Sequence, residues 1–354
     1  MLLHEHLEKG AEKKPNFSFS EFEKKSLSYH EANLLSNKLA NKLVEEDLQV
    51  VDRFAFLAKN CTEMAIMYYA ASKVGVVPVP LNYRLADQEW SYIINDSKAK
   101  LIIVKGNEYA DRINMIKPEL LDVKKYVSIE LEEPINDFSD FYNWISDSSE
   151  TKPTRNVIEE DDVYQMYTSG TTGHPKGAIL LQRNVAANIR QYLDRLTLPN
   201  PSRTLLVAPM YHAAAMINMC GCIALGGTIV IQEDFIPQNV VDCLANEKIT
   251  HTVLVPAMIQ ACLVSVPNVE SNDYNDLDQI HYGASPIAPE TLKRAMDVFK
   301  CKFGQGFGMT ETVAVICLMT PEEHIRALNE KPDLLKSCGR PAIATQVEIR
   351  DENE

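Results

Sequence analysis

Long apolar runs are missing from this chain, and so is any surplus of positive charge. The most apolar region, residues 205–231, is interrupted by Pro209, His212, Asn218 and the Gly226-Gly227 pair. Its helical part falls short of the roughly 20 apolar residues that cross a bilayer, so no integral membrane segment is expected. The net charge is −14, which argues against general binding of nucleic acid or anionic membrane. Any phosphate site must therefore gather positive charge locally. Cys-x-x-Cys is absent, and the eight cysteines are scattered. Cys220 and Cys222 lie in an apolar run and read as core, so the expectation is a reducing, cytoplasmic setting without structural zinc. The N-terminus, Met1-Leu-Leu-His-Glu, lacks a basic stretch leading into an apolar one and does not read as a signal peptide. No internal repeat with a period of about 20–50 residues is visible.

What is present is an ordinary globular composition. The 354 residues are 45% hydrophobic and 24% charged, enough for a large core in two or three domain-sized units. Ser28 and Glu31 form a capping box ahead of a helix that carries Ala32, Leu35, Leu39 and Leu43 on one face. Residues 1–27 read as a short helix followed by a strand or loop. Strands are expected over 53–58, 76–80 and 101–104, with helices over 62–73 and 90–95 between them. That β-α-β-α-β order implies a parallel sheet covered by helices on both faces. Residues 130–161 are strongly acidic and read as a solvated connection with one short helix near 138–145. Beyond residue 182, helices and strands alternate again through 303, which implies a second α/β sheet. Residues 346–350 alternate like a strand with one wet face.

One stretch stands out from this background: Tyr167-Thr168-Ser169-Gly170-Thr171-Thr172-Gly173-His174-Pro175-Lys176-Gly177. Strand-like residues lie on both sides of it, 162–167 and 178–181. Glycines let a backbone approach a polyphosphate and turn its N–H groups inward. Hydroxyls donate to phosphate oxygens, and Lys176 adds a mobile point charge. The spacing is not that of the Walker loop, because here the lysine follows a proline and the chain continues as a strand. Taken alone, the run could equally be a polar turn, since Ser, Thr, Gly and Pro are ordinary turn residues.

The same run resembles the phosphate-binding signature of the adenylate-forming enzymes, which include acyl-CoA synthetases, luciferases and the adenylation domains of peptide synthetases. Three further stretches match that family in order: Ala208-Pro209-Met210-Tyr211-His212, Tyr282-Gly283-Ala284-Ser285-Pro286 and Gly304-Gln305-Gly306-Phe307-Gly308-Met309-Thr310-Glu311-Thr312. Residues 27–32 and 80–85 agree more weakly and are assigned no chemistry. The resemblance implies two lobes of mostly parallel sheet flanked by helices, roughly 1–182 and 183–338, with 339–354 opening a small β-barrel. It implies ATP binding by Thr168, Ser169, Gly170, Thr171, Thr172, Gly173, Lys176, Gly283, Ala284, Ser285, Gln305, Gly306, Phe307, Gly308 and Thr310. Lys176, Thr310 and Glu311 would be catalytic, with Glu311 holding Mg2+. The acid would lie along Tyr211, His212, Met216, Gly283 and Gly308. Phe307 stands where the family commonly has tyrosine; stacking needs only the ring face.

The activity implied is ATP-dependent activation of a carboxylic acid to an acyl-adenylate, followed by transfer to CoA. A carrier-protein thiol is an alternative acceptor, and a shortened, non-catalytic nucleotide-binding protein is an alternative reading altogether. Tyr211, His212 and three alanines occupy the place where amino-acid-activating relatives set an aspartate. An acid without an amino group, fatty or aryl, is therefore expected. The family's ribose-gripping aspartate and its lid, which carries a lysine, belong beyond Gly339-Arg340-Pro341; they are not expected in a sequence that stops at Glu354. Gln182 departs from the threonine or histidine of many relatives, with no evident consequence at this level. The acid's identity and the oligomeric state stay open.

Overall fold

The computed structural model describes residues 1–168, 173–195 and 198–351. A five-stranded sheet runs in the order Val77–Pro80, Arg53–Leu57, Ala99–Lys105, Lys125–Ile129 and Phe138–Asp140, with every pair parallel. Helices Thr62–Val74, Asp87–Asp96 and Asn107–Ile116 supply crossovers. The expected β-α-β-α-β order is met and then extended by two strands. The last of these lies inside the acidic stretch, which is thus not merely a solvated connection. Phe138 packs on Tyr126 with ring centroids 5.4 Å apart, and Phe141 and Ile145 are buried. A few apolar contacts suffice to seat a short edge strand whose charges face water.

A nine-stranded sheet runs in the order Arg340–Pro341, Cys317–Met319, Lys302–Phe307, Gln279–Gly283, His251–Leu254, Arg203–Leu206, Thr228–Ile231, Ser18–Phe22 and Lys25–Ser28. Its inner strands, from Lys302–Phe307 to Ser18–Phe22, are mutually parallel, and the strands outside them are antiparallel. The N-terminal hairpin therefore belongs to the later sheet. Ser20 pairs with Ile229, Tyr29 Oη donates to Gly227 O at 2.7 Å, and Arg203 forks onto both carboxylate oxygens of Glu21 at 2.7 and 2.6 Å. Residues 346–350 are not a strand. Their alternation is present, but a strand exists only with a hydrogen-bonded neighbour, and none lies beside them among the described residues.

The third sheet is an antiparallel hairpin, Asp162–Thr168 with Lys176–Leu181. It lies against strand Val77–Pro80 and helix Thr62–Val74. That helix is buried almost all round, because it also meets the two N-terminal helices and strand Ser18–Phe22. It ends where Gly75 adopts φ +69°, a left-handed cap that glycine takes without penalty.

Gln182, which follows the hairpin, is fully buried. Its Oε1 accepts from Leu3 N at 3.0 Å and its Nε2 donates to Ser72 Oγ at 2.9 Å. Ser72 Oγ also meets His4 Nδ1 at 3.0 Å. The glutamine is long enough to tie the first helix, helix Thr62–Val74 and the hairpin together. Burial pushes the His4 imidazole down to about 4. The unfolded chain, with an ordinary histidine near 6.5, binds more protons than the native one between those two values. Stability should therefore fall as pH drops from about 6.5 to 4, by about 3 kcal/mol through this group. Urea titrations across that window, with His4→Gln as comparison, check it; an equal pH slope in the variant contradicts it.

Candidate functional site

Parallel strands leave their carboxyl ends unclosed, and ligands bind in the crevice outside them. Here strands His251–Leu254, Gln279–Gly283 and Lys302–Phe307 run out together. Just beyond and beneath their ends lies a cavity of about 450 Å³, within the range of about 300–1,000 Å³ usual for small-molecule sites. Its outer wall is Gly283, Ala284, Gly306, Gly308, Met309 and Thr310, and its inner wall includes Tyr192, Ile217, Val253, His281, Val315 and Leu318.

Glycines set the outer wall. Strands 279–283 and 302–307 approach so closely at Gly283 that a Cβ would stand 2.3 Å from Gly306 O. Ala284 turns the chain with φ +64°. At Gly306, in contrast, a Cβ would meet only Leu318 Cδ2, at 3.8 Å; a bare glycine there leaves room rather than relieving a clash. Phe307 ends the strand with its ring 46% exposed, and the turn Thr310–Thr312 follows, with Glu311 exposed within it.

The hairpin reaches the same place. Strand Lys176–Leu181 lies against the turn Thr310–Thr312, and Thr310 is on the cavity wall, so the strand that begins at Lys176 comes up beside the cavity mouth. Thr168 pairs with Lys176 across the hairpin, and Lys176 is exposed. The base of the loop is fixed to helix Asp87–Asp96: Tyr167 Oη donates to Asp96 Oδ2 at 2.6 Å, and His174 stacks on Tyr92 with centroids 4.6 Å apart. At Gly177 a Cβ would stand 2.2 Å from Gln165 Nε2 and 2.8 Å from Tyr167 Cζ, so a larger residue would have to displace those side chains. Gly173 takes φ +125°, and among the described residues nothing lies within 4 Å of where a Cβ would stand. Ser169, Gly170, Thr171 and Thr172 lie outside the described residues.

A family model for AMP-binding enzymes matches residues 7–354. The chain belongs to the AMP-binding enzyme family. It is 28% identical over 337 residues to a fatty acid–[acyl-carrier-protein] ligase of Streptomyces coeruleorubidus, covering 93% of this chain and 61% of that one. It is 27% identical over 336 residues to a long-chain-fatty-acid–CoA ligase of Mycobacterium tuberculosis, covering 92% and 62%. The inhibitor-bound N-terminal domain of FACL13 from Mycobacterium tuberculosis superposes with a TM-score of 0.89 at 25% identity, over 99% of this chain and 85% of that one. The chain thus spans about three fifths of the length of the curated relatives it matches.

Within this AMP-binding fold, the sequence-predicted residues sort into three groups. His212, Gly283, Ala284, Gly306, Gly308 and Thr310 line the cavity. Thr168, Gly173, Lys176, Ser285, Phe307 and Glu311 are not on its wall; Lys176 and Glu311 lie on the hairpin strand and the turn that meet at its mouth. Gln305, Tyr211 and Met216 point elsewhere. Gln305 is not on the cavity wall; it pairs across the strands with Tyr282, whose hydroxyl donates to Gln305 Oε1 at 3.4 Å. Tyr211 packs edge-on against Tyr83 at 5.5 Å. Met216 is in the core at 1% exposure, because one helical step of about 100° sends Ile217 to the cavity instead.

Residues 80–85 turn out to contribute: Arg84 lines the cavity with its guanidinium over the Tyr83 ring. His212 opens the helix Ala213–Ala224. Desolvation by the wall and then the Arg84 charge hold its imidazole below the usual histidine value. Asn188 was invisible in the sequence. It donates to Val315 O at 2.8 Å and accepts from Val315 N at 3.1 Å, pinning the inner wall to helix Gln182–Arg195. No cluster of three or more metal-ligating side chains exists among the described residues. The lone exposed carboxylate of Glu311 suits a hard cation held mainly by phosphate oxygens and water, not an all-protein cage.

Proposed function

We propose that this chain forms the nucleotide- and acid-binding core of an enzyme that joins a carboxylic acid to ATP and passes the acyl group from the adenylate to a thiol. The observation that carries the reading is the meeting of the hairpin 162–181 and the turn Thr310–Thr312 at the mouth of one cavity. Phosphates would sit between Lys176 and Thr310, adenine along 283–285 beside the Phe307 ring, and the acid in the cavity.

The chemistry needs electrostatic help and alignment rather than a protein nucleophile. The acid's carboxylate attacks the α-phosphorus and pyrophosphate leaves. The Lys176 ammonium and the backbone donors of the loop offset charge on the leaving group. The Thr310 hydroxyl donates to an α-phosphate oxygen, and the walls hold carboxylate and phosphorus in line. Glu311 would hold Mg2+, which when bound supplies further charge neutralisation beside the phosphates.

The core would divide into two intertwined lobes, roughly 1–182 and 183–338, the second sheet taking in the hairpin Ser18–Ser28, and 339–354 would lead into a small barrel. No carboxylate lines the cavity among the described residues, so a substrate ammonium would lack a partner; this favours fatty or aryl acids over amino acids. CoA is the acceptor favoured by the Mycobacterium tuberculosis relative. A carrier-protein thiol is the second reading, favoured by the Streptomyces relative.

Lys176→Ala tests the phosphate assignment. Losing a charge-assisted hydrogen bond costs about 1.5–3 kcal/mol, so ATP affinity measured by calorimetry should fall roughly 10- to 100-fold, and AMP affinity much less. Equal losses for the two nucleotides contradict the role.

A further inference from the structure

The inner end of the cavity is polar where a pure hydrocarbon tail would want none. His251, Gln279 and His281 lie on one face of neighbouring strands: His251 is paired with Gln279, and His281 with Gly304. All three side chains are at least nine-tenths buried. His251 Nε2 meets His281 Nδ1 at 2.7 Å and the Tyr192 hydroxyl at 3.2 Å, and that hydroxyl donates to Asn218 Oδ1 at 3.1 Å. The outer atoms have no hydrogen-bond partner among the described residues: His251 Nδ1, His281 Nε2 and both polar atoms of Gln279. Tyr192 and His281 form part of the cavity wall. Gly304 lets the His281 ring pack against its strand, since a Cβ there would stand 2.5 Å from His281 Cδ2.

Buried polar atoms are nearly always satisfied, and each exception needs a reason. Whichever histidine donates in the shared bond, one outer nitrogen carries a proton and the other does not. With the Tyr192 proton on Asn218, His251 Nε2 is the donor and His281 Nε2 is left as a donor toward a ligand; it becomes an acceptor only when the Tyr192 hydroxyl turns to donate to His251 Nε2. Burial keeps both imidazoles neutral at pH 7, so a tail anion would find no countercharge.

We propose that this corner makes the cavity specific for acids that carry a neutral hydrogen-bonding group, hydroxyl or carbonyl, at the end remote from the carboxylate, with His281 and Tyr192 as the specificity-determining residues. The proposal rests on the acid-activating reading above and names its substrate class. A plain tail would strand the polar atoms, whereas a hydroxyl at the right reach would engage them. Sites built around a hydrogen bond discriminate strongly against analogues that lack it.

The test uses acyl-sulfamoyl adenosines in matched pairs, with and without a terminal hydroxyl: straight chains of roughly four to ten carbons, a range chosen to scan the depth of a cavity of about 450 Å³, and the cinnamoyl/4-hydroxycinnamoyl pair. Calorimetry on the whole chain should show at least about a tenfold preference for the hydroxylated member of one pair. His281→Leu should bring that ratio to near one while the plain conjugate still binds. Tyr192→Phe, which keeps the ring, should lower it as well and serves if His281→Leu does not fold. Equal affinities in every pair, as expected if resident water alone satisfies the cluster, overturn the proposal while leaving the acid-activating reading intact. So does a preference that survives both substitutions. Failure of all conjugates to bind overturns both.

Discussion

Gly308→Ala should cost the protein more than any other single methyl added near the site. Gly308 follows strand Lys302–Phe307 and lines the cavity. A Cβ there would stand 1.5 Å from Ala314 O and 2.5 Å from Ala314 C. Those are backbone atoms, held in place because Ile316 N donates to Phe307 O at 2.8 Å and Asn188 clamps Val315. Ordinary overpacking costs about 1–3 kcal/mol, with larger values when nothing can yield. A loss above about 3 kcal/mol is expected, together with loss of nucleotide binding. Gly306→Ala is the control. Its Cβ would meet only Leu318 Cδ2 at 3.8 Å, so the fold should survive while a methyl enters the cavity. Thermal melts of the two variants check the contrast, and equal melting points contradict it.

Asn188→Ala should be the second large effect. The side chain is 3% exposed and satisfies both the N–H and the C=O of Val315. Removing it leaves two buried backbone groups unpaired at about 1–3 kcal/mol each, roughly 4 kcal/mol together. Val315 lines the cavity, and Val313, two residues before it, is buried with φ +71°, a conformation a β-branched residue adopts only when its surroundings hold it there. Freeing the clamp should therefore loosen the wall as well as lower stability. Denaturant titration should show a reduced midpoint, and weaker binding of an acyl-sulfamoyl adenosine should accompany it. An unfolding free energy within about 0.5 kcal/mol of the parent, the usual range for a neutral surface change, contradicts the clamp.

What the sequence disclosed was local. The capping box forms as read, with Ser28 N donating to Glu31 Oε2 at 2.8 Å and Glu31 N to Ser28 Oγ at 3.2 Å. The apolar runs of the parallel strands and the helices between them stand close to where their patterns put them. Gly306, Gly308, Thr310 and His212, which the family resemblance singled out, lie on the cavity wall, whereas Gln305, Phe307 and Glu311 of the same stretches do not. What stayed hidden was set by distant partners. Nothing near Ser20 announces that it pairs with Ile229, and nothing near Asn188 announces Val315. Met216 and Ile217 are both apolar, and only the helix's rotation against the sheet decides which one meets the cavity. Residues 346–350 show the converse, a strand pattern with no strand beside it.

The central claim is that one cavity mouth holds an adenine nucleotide while the cavity behind it holds an acyl group. The most direct test is a crystal structure of this chain with octanoyl-sulfamoyl adenosine, a non-reactive stand-in for the acyl-adenylate. The account predicts adenine against 283–285 beside the Phe307 ring, the sulfamate at Thr310, and the acyl chain running inward past Gly308 toward His281. An adenosine bound anywhere else, or an acyl chain lying outside the cavity, would contradict it.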